Sequence, residues 1–480
     1  MNEAKKLSEL VAVTSTEVGT SGAAPAKDHL EPEEHLEWGR SCREECPRTS
    51  HAVWALRDDR DPVAILAAQE ERRLAFLVPI RHARMLVSPF AFYRGSAAVM
   101  SNDLATTSTT GISAQLCGDA HLSNFGLFGS PERALVFDCN DFDETHPGPW
   151  EWDVKRLAVS AVLMAGDRGW GEQVQRRLAQ SVGLAYRTSM ADFAGKGRLA
   201  VWYSRLTDEQ ILEYTHAENR LKVERQFAKA RTNDVNKAIA KYTEVVDGKR
   251  RFIHQPPLVM RLDDSMPADE AAAMHQNVIS LFGDYLDTVP EFLQVLLGGY
   301  ELIDVALKVV GVGSVGTRCY IALVRGRDDD DLMILQVKEA EHSVLEPYVE
   351  HADYDNQGHR VVVGQHLMQA AADQFLGWSN VGHHDFYIRQ FRDMKGSLNL
   401  AKVSEEITGN YLLLCAWTLA RAHARSGSRI AIASYLGKSD KFDRSISDFS
   451  MAYAQQVEQD YSSFAAAAAS GRIEVAQGQF

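Results

Sequence analysis

The period of the apolar residues changes near residue 302. Between residues 150 and 300 they recur mostly at helical spacing, with amphipathic windows at Trp152–Ala165, Gln173–Phe193 and Ala271–Leu286. Three strand-like runs then follow in close succession: Ile303–Val310, Thr317–Val324 and Leu332–Val337. The turn Gly311-Val312-Gly313-Ser314-Val315-Gly316 joins the first two. The charged run Arg325–Asp331 joins the second and third and reads as a solvated hairpin tip. Such a chain is predicted to be α+β, a mostly helical part combined with a small antiparallel sheet. A helix-like stretch at Arg360–Phe375 and a strand at Asp385–Phe391 follow. Helix returns over 405–465, with Ala465–Ala469 expected to be a frayed end. Upstream, Met85–Gly95 is apolar and aromatic around one arginine, Arg94. Ala114–Cys117 reads as a short strand, and Asn124–Phe128 and Ala134–Phe137 read as a hairpin turning at Ser130–Arg133.

Four constellations carry chemistry. Gly118-Asp119-Ala120-His121-Leu122-Ser123-Asn124 lies between a strand and the hairpin and has the skeleton D-x-x-x-x-N. In kinase-type phosphoryl transfer an Asp of this kind reaches the acceptor hydroxyl and the Asn holds a metal. His121 reads as a brace of that loop or as a catalytic partner. Beyond the hairpin, Asp138, Asp141, Asp143 and Glu144 place four carboxylates within seven residues. A magnesium ion takes one or two carboxylates together with phosphate oxygens, whereas a plain turn with solvated acids is the simpler alternative. Gly148–Ala158 begins a helix in which Asp153 can serve as an N-cap. Far downstream, the 311–316 turn lies between strands and does not open a helix, which removes the dinucleotide-binding reading. Its backbone N–H groups can approach phosphates, and Lys338, at the end of the third strand, can reach the same phosphates.

These are the parts of a kinase in the wrong order. The catalytic loop and metal aspartate come first, near 119–153, and the glycine turn and lysine come second, near 311–338. A circular permutation accounts for the order, with Arg389-Gln390-Phe391-Arg392-Asp393 as the hinge. Leu412–His423 would then be the helix that normally leads into the catalytic loop. The units expected are a disordered tail over 1–36, a first large-lobe part over 37–300 and a small lobe over 301–396. Helices completing the large lobe occupy 397–470, and a tail occupies 471–480.

The strings Ser88–Gly95 (SPFAFYRG), Gly118–Gly126 (GDAHLSNFG), Phe137–Arg156 and Arg389–Ser397 (RQFRDMKGS) resemble the bacterial domain-of-unknown-function family 2252, over about 81–461. The resemblance implies a protein-kinase-like, aminoglycoside-phosphotransferase-like fold and no particular substrate. It implies Asp119 as the catalytic Asp, Asn124 and Asp141 as metal ligands with Asp138 as the rival of Asp141, and Asp153 as a brace of the catalytic loop. Gly311, Gly313, Ser314, Gly316, Lys338 and Arg389 are expected to bind the nucleotide. Arg94 is expected to be structural support, with a phosphate contact as the alternative. Two departures stand out. Cys117 occupies the place of the motif histidine, and the acidic partner of Lys338 is open between Glu346 and the uncharged Gln365.

The expected activity is an ATP- and Mg2+-dependent phosphotransferase acting on a hydroxyl acceptor, a small molecule rather than a protein. Nucleotidyl transfer, a nucleotide-binding pseudokinase and a metal-dependent hydrolase using Asp119, His121, Asp138 and Asp141 are the alternatives. A net charge of −14 over 480 residues argues against nucleic acid or anionic lipid as a partner. No apolar run is long enough for a membrane span or a signal peptide, so a cytoplasmic protein is expected. Of the six cysteines only Cys42 and Cys46 have metal-like spacing. No second Cys/His pair accompanies them, so reduced thiols are expected.

Overall fold

The computed structural model of the protein describes residues 30–478, except 214, 216, 266, 392, 393 and 397. The tail expected over 1–36 lies outside the described residues as far as position 29. From Pro32 the chain is already helical, which shortens that tail. Helix α1 (Pro32–Glu45) starts there because Glu31 and Glu34 form a reciprocal capping box and proline fills the first helical position. The Met85–Gly95 stretch is not one segment. It is the end of α2 (Val78–Met85), a break, and α3 (Pro89–Gly95), which begins where the Ser88 hydroxyl accepts the Ala91 N–H at 3.2 Å.

Strands β1 (Ser113–Leu116), β2 (Phe125–Gly129) and β3 (Leu135–Cys139) follow, and β2 and β3 form the expected hairpin. Strand β4 (His146–Pro149) pairs antiparallel with β1 and was not foreseen. Its sequence, HPGP, has no alternation, and prolines are tolerated only because this ladder is two strands wide. Helix α4 (Trp150–Asp167) is buried at every position from Trp150 to Ala165, as expected of a helix at the centre of a body. Helix α5 (Glu172–Ala194) packs on it, with Trp150 stacked on Tyr186 at 5.2 Å.

The second body is a sheet. Its members are β5 (Val259–Arg261), β6 (Glu301–Lys308), β7 (Cys319–Arg325), β8 (Leu332–Ala340), β9 (Gly377–Val381) and β10 (His384–Gln390). Among the described residues their order is β9-β10-β8-β7-β6-β5, antiparallel throughout. Helix α6 (Ala268–Leu286) packs on β9, and α7 (Gln357–Met368) lies between the sheet and the helical body. Helices α8 (Glu405–Ser426) and α9 (Lys441–Ala469) return to pack on α5 and α4.

Three expectations change here. The boundary at residue 300 falls inside the sheet body, whose apolar cores include Leu77 and Ile80 as well as Ala238, Tyr242 and Val259, and whose edge strand is β5. The helix expected over Arg360–Phe375 ends at Met368. Ala465–Ala469 continues α9, with Ala467 buried.

Strand β8 is buried along its whole length because both of its faces are covered. Leu335 and Val337 face the core built with α6, whereas Ile334 lies in the core on the opposite face. The alternation of side chains then puts Gln336 and Lys338 on the Ile334 side. That is how strand register delivers a lysine to the junction of the two bodies.

Candidate functional site at the junction of the two bodies

The loop from Cys117 to Asn124 is held from beneath. Asp153, in the first turn of α4, accepts the backbone N–H groups of Cys117 at 2.7 Å and Gly118 at 3.0 Å. His423 of α8 lies 3.3 Å from the same carboxylate. Asp153 therefore caps the loop and not its own helix, whose cap position is Pro149. Gly118 takes φ +82°, and a Cβ there would meet the Glu144 carbonyl at 2.1 Å, so the tight start of the loop admits only glycine.

Asp119 projects from this loop onto Arg156 of α4, with Nη2 2.8 Å and Nε 2.9 Å from Oδ1. Burial pushes its carboxyl up from the usual range, and the Arg156 guanidinium opposes that rise. His121 is buried, and burial holds its imidazole well below the usual value. Its Nδ1 accepts the Ser123 N–H at 3.1 Å, which leaves the ring proton on Nε2, 3.6 Å from Asp119. That spacing is too long for a hydrogen bond, so His121 acts as a brace of the loop. The Asn124 side-chain nitrogen donates to the Asp119 carbonyl at 2.7 Å.

Lys338 reaches this region from β8. Its ammonium is ion-paired with Asp143 and lies 3.8 Å from Asp141. The Tyr387 hydroxyl, opposite Lys338 in the ladder, donates to Asp143 at 2.9 Å. The Ser314 hydroxyl of the glycine turn donates to the same carboxylate at 3.1 Å. Burial works against the charge on Asp143, but Lys338 outweighs it and holds the carboxyl below its usual range. Asp141 moves the other way, raised by burial and then by the negative charge of Asp143. Neither candidate acidic partner of Lys338 holds: Glu346 pairs with His342, Gln365 hydrogen-bonds Gln369, and Asp143 takes the role.

Asp138 does not join this cluster. It is buried against Arg421 of α8 at 2.6 Å and accepts the Cys139 N–H at 2.9 Å, so its carboxylate belongs to the interior. Of the two rival carboxylates, only Asp141 lines the cavities. The glycine turn, with Gly311, Gly313, Ser314 and Gly316, is shaped from outside. Arg73 donates to the Gly313 and Val315 carbonyls at 2.7 and 2.6 Å, and Leu74 N–H donates to the Gly316 carbonyl at 2.8 Å. Arg389 donates to Gln336 at 2.9 Å and lines the cleft below the sheet.

Two adjoining cavities result. The larger, of 560 Å³, is lined by seven lysine and arginine side chains against two aspartates, Asp141 and Asp373. The smaller, of 80 Å³, contains Asp119, His121 and Glu144. Asn124, Asp141, Gly311, Ser314 and Arg94 line both. Among the described residues no three His, Cys, Asp or Glu side chains converge to hold a metal ion unaided, and Cys42 and Cys46 form no such site. The pairings of Arg156 with Asp119 and of Asp143 with Lys338 were not foreseen from the sequence. Arg156 carries no motif signal of its own, whereas Asp143 stood in the acidic run and lacked only its partner.

No helix among the described residues is long and apolar enough to cross a membrane. Comparison with curated proteins and with solved structures gave no match. A family model described as an uncharacterized protein conserved in bacteria, DUF2252, matches residues 73–467. With most of its length so matched, the chain belongs to that family.

Proposed function

We propose that the protein is an ATP- and Mg2+-dependent phosphotransferase, built on a permuted kinase-like fold, that acts on the hydroxyl of a small molecule. The observation that carries this reading is convergence. Lys338 and the glycine turn meet Asp119, Asn124 and Asp141 around one pair of cavities, although the two sets lie about two hundred residues apart. The order of parts along β6, the glycine turn, β7, β8 with its lysine and then α7 is that of a kinase small lobe. The end of α8 supports the permutation. A Cβ on Gly427 would come within 2.9 Å of the Ser113 carbonyl, so this helix stops against the strand that leads into the Asp119 loop.

The larger cavity has the volume of a nucleotide site and the charge of a polyphosphate site in an otherwise acidic protein. Lys338 and the turn would position the phosphates. Asn124 donates its amide nitrogen to its own loop, which leaves its oxygen for a cation, and Asp141 is partly exposed beside it. Together with phosphate oxygens these two suit magnesium, whose bound charge would offset that of the phosphates. Asp119, held by Arg156, orients the acceptor hydroxyl and takes its proton. Positioning and charge supply most of the effect. No nucleic acid or membrane partner is invoked, and a cytoplasmic setting suits a user of ATP.

The test is purified protein with ATP and magnesium, the nucleotide products being separated and identified. ADP is expected. AMP or pyrophosphate would replace the reading by nucleotidyl transfer, and an unchanged nucleotide pool with a range of polyol and amino-alcohol acceptors would leave a binding protein.

A further inference from the structure

The cations around the two cavities are nearly all committed. Lys338 is paired with Asp143, Arg156 with Asp119, and Arg389 with Gln336. Arg73 and Arg84 donate to carbonyls of the glycine turn. Arg94 is the exception. Its Nε is buried without a partner, and among the described residues nothing accepts a hydrogen bond from its guanidinium. Yet this side chain lines both cavities at once.

Its backbone is fixed on every side. Arg156 donates to the Tyr93 carbonyl at 2.7 Å and lies 3.8 Å from the centroid of the Tyr93 ring, and Arg81 donates to the Gly95 carbonyl at 2.6 Å. The glycine turn passes directly above, since a Cβ on Gly313 would come within 3.2 Å of the Arg94 carbonyl. Desolvating the stem of an arginine while leaving its planar fork without an acceptor is costly unless an anion completes it. A bidentate oxyanion such as a phosphate is what the fork fits.

We propose that Arg94 is a catalytic residue that binds the terminal phosphate of the nucleotide, the group to be transferred, where the phosphate-side and Asp119-side cavities join. The assignment rests on the phosphotransferase reading and takes up the phosphate contact, the alternative to structural support that the sequence left open for this residue. It also assigns the phosphates a direction: the terminal group faces Asp119, and the remainder lies toward Lys338 and Arg389 in the larger cavity. Arg94 would act on the developing charge as an arginine supplied in cis does in other phosphoryl-transfer sites.

The experiment is calorimetric titration of ATP and of ADP, each with magnesium, into the wild-type protein, Arg94→Ala and Arg94→Lys. Thermal melts serve as the folding control. The expected result is a fall of about tenfold to a hundredfold in ATP affinity in Arg94→Ala, with ADP affinity held within about twofold and Arg94→Lys intermediate. If the wild type binds both nucleotides and the variants weaken both equally, or neither, Arg94 does not hold the terminal phosphate and the assignment is overturned while the reading survives. Should the wild type bind neither nucleotide, the phosphotransferase reading fails and takes the assignment with it. Should Arg94→Ala fail to fold, Arg94→Lys alone decides: equal ATP-to-ADP ratios in Arg94→Lys and wild type overturn the assignment.

Discussion

The Lys338 ammonium pairs with Asp143, a residue 195 positions earlier, and Tyr387 and Ser314 donate hydrogen bonds to the same carboxylate. One aspartate thus ties two sheet strands and the glycine turn to the acidic segment after β3. Lys338 is almost wholly buried, so Lys338→Met leaves Asp143 without its counter-charge. The expected cost is about 3 kcal/mol of folding stability, read from urea denaturation. A loss under about 0.5 kcal/mol would mean that Tyr387 and Ser314 satisfy Asp143 unaided.

Asp119→Asn separates chemistry from binding. The amide keeps its size and can still accept from Arg156, but it has no negative charge and cannot take a proton. Turnover is expected to fall about a hundredfold or more with nucleotide affinity little changed. Near wild-type turnover would remove Asp119 from the catalytic role and turn attention to Asp143.

Asp141→Asn tests the metal. Asp141 is partly exposed and is the carboxylate beside Asn124 that the interior does not consume. The variant should lose most of the magnesium-dependent part of ATP affinity while melting within about 2 °C of wild type. Equal ATP affinity with and without magnesium in both proteins would count against a metal at this position.

Much of this was legible in the sequence, and the boundary of legibility has a physical cause. Strands β6, β7 and β8 announce themselves as short apolar runs bounded by turn residues, and helices α4 and α5 as long stretches whose apolar residues recur at a helical period. Strands β4 and β9, HPGP and GWSNV, have no such run and exist because a neighbour supplies their partners. The site divides in the same way. Asp119, Asn124, Asp141 and Lys338 sit in local strings with a readable spacing. The choices of Asp143 for Lys338, Arg156 for Asp119 and Arg421 for Asp138 depend on which side chains the fold brings close.

Burial pushes the Glu144 carboxyl up to about 7, against a usual value near 4.5. Between those two values the unfolded chain has released this proton while the folded protein still holds it. The contribution of Glu144 to stability therefore falls as pH rises through that window, and the loss is complete above it. Glu144→Gln keeps an acceptor for the Val344 N–H, which now lies 2.8 Å from the carboxylate. The variant should melt about 2 °C or more above wild type at pH 8 and together with it at pH 4. An equal difference at both pH values would show that the effect is packing and not ionisation.

Asp153→Ala removes the acceptor of the Cys117 and Gly118 N–H groups at the start of the Asp119 loop. A cost of about 2–4 kcal/mol is expected by chemical denaturation, together with lost turnover. Asp153→Asn, which can satisfy only part of that geometry, should fall between. Wild-type stability in Asp153→Ala would mean that water or His423 completes the loop.

Two aspartates buried beneath the site, Asp138 and Asp153, receive their partners very late in synthesis. Arg421 follows Asp138 by 283 residues, and His423 follows Asp153 by 270. On the ribosome, β3 and α4 emerge while the helix that carries the partners of Asp138 and Asp153 is still unwritten. The helical body therefore closes only after the sheet body has been made, and until then a nascent chain exposes apolar surface and unpaired acids together. A protein so arranged depends on holding factors during translation more heavily than one of equal size whose contacts are local, and a stalled chain ending before residue 405 should be captured by them and cleaved rapidly by protease.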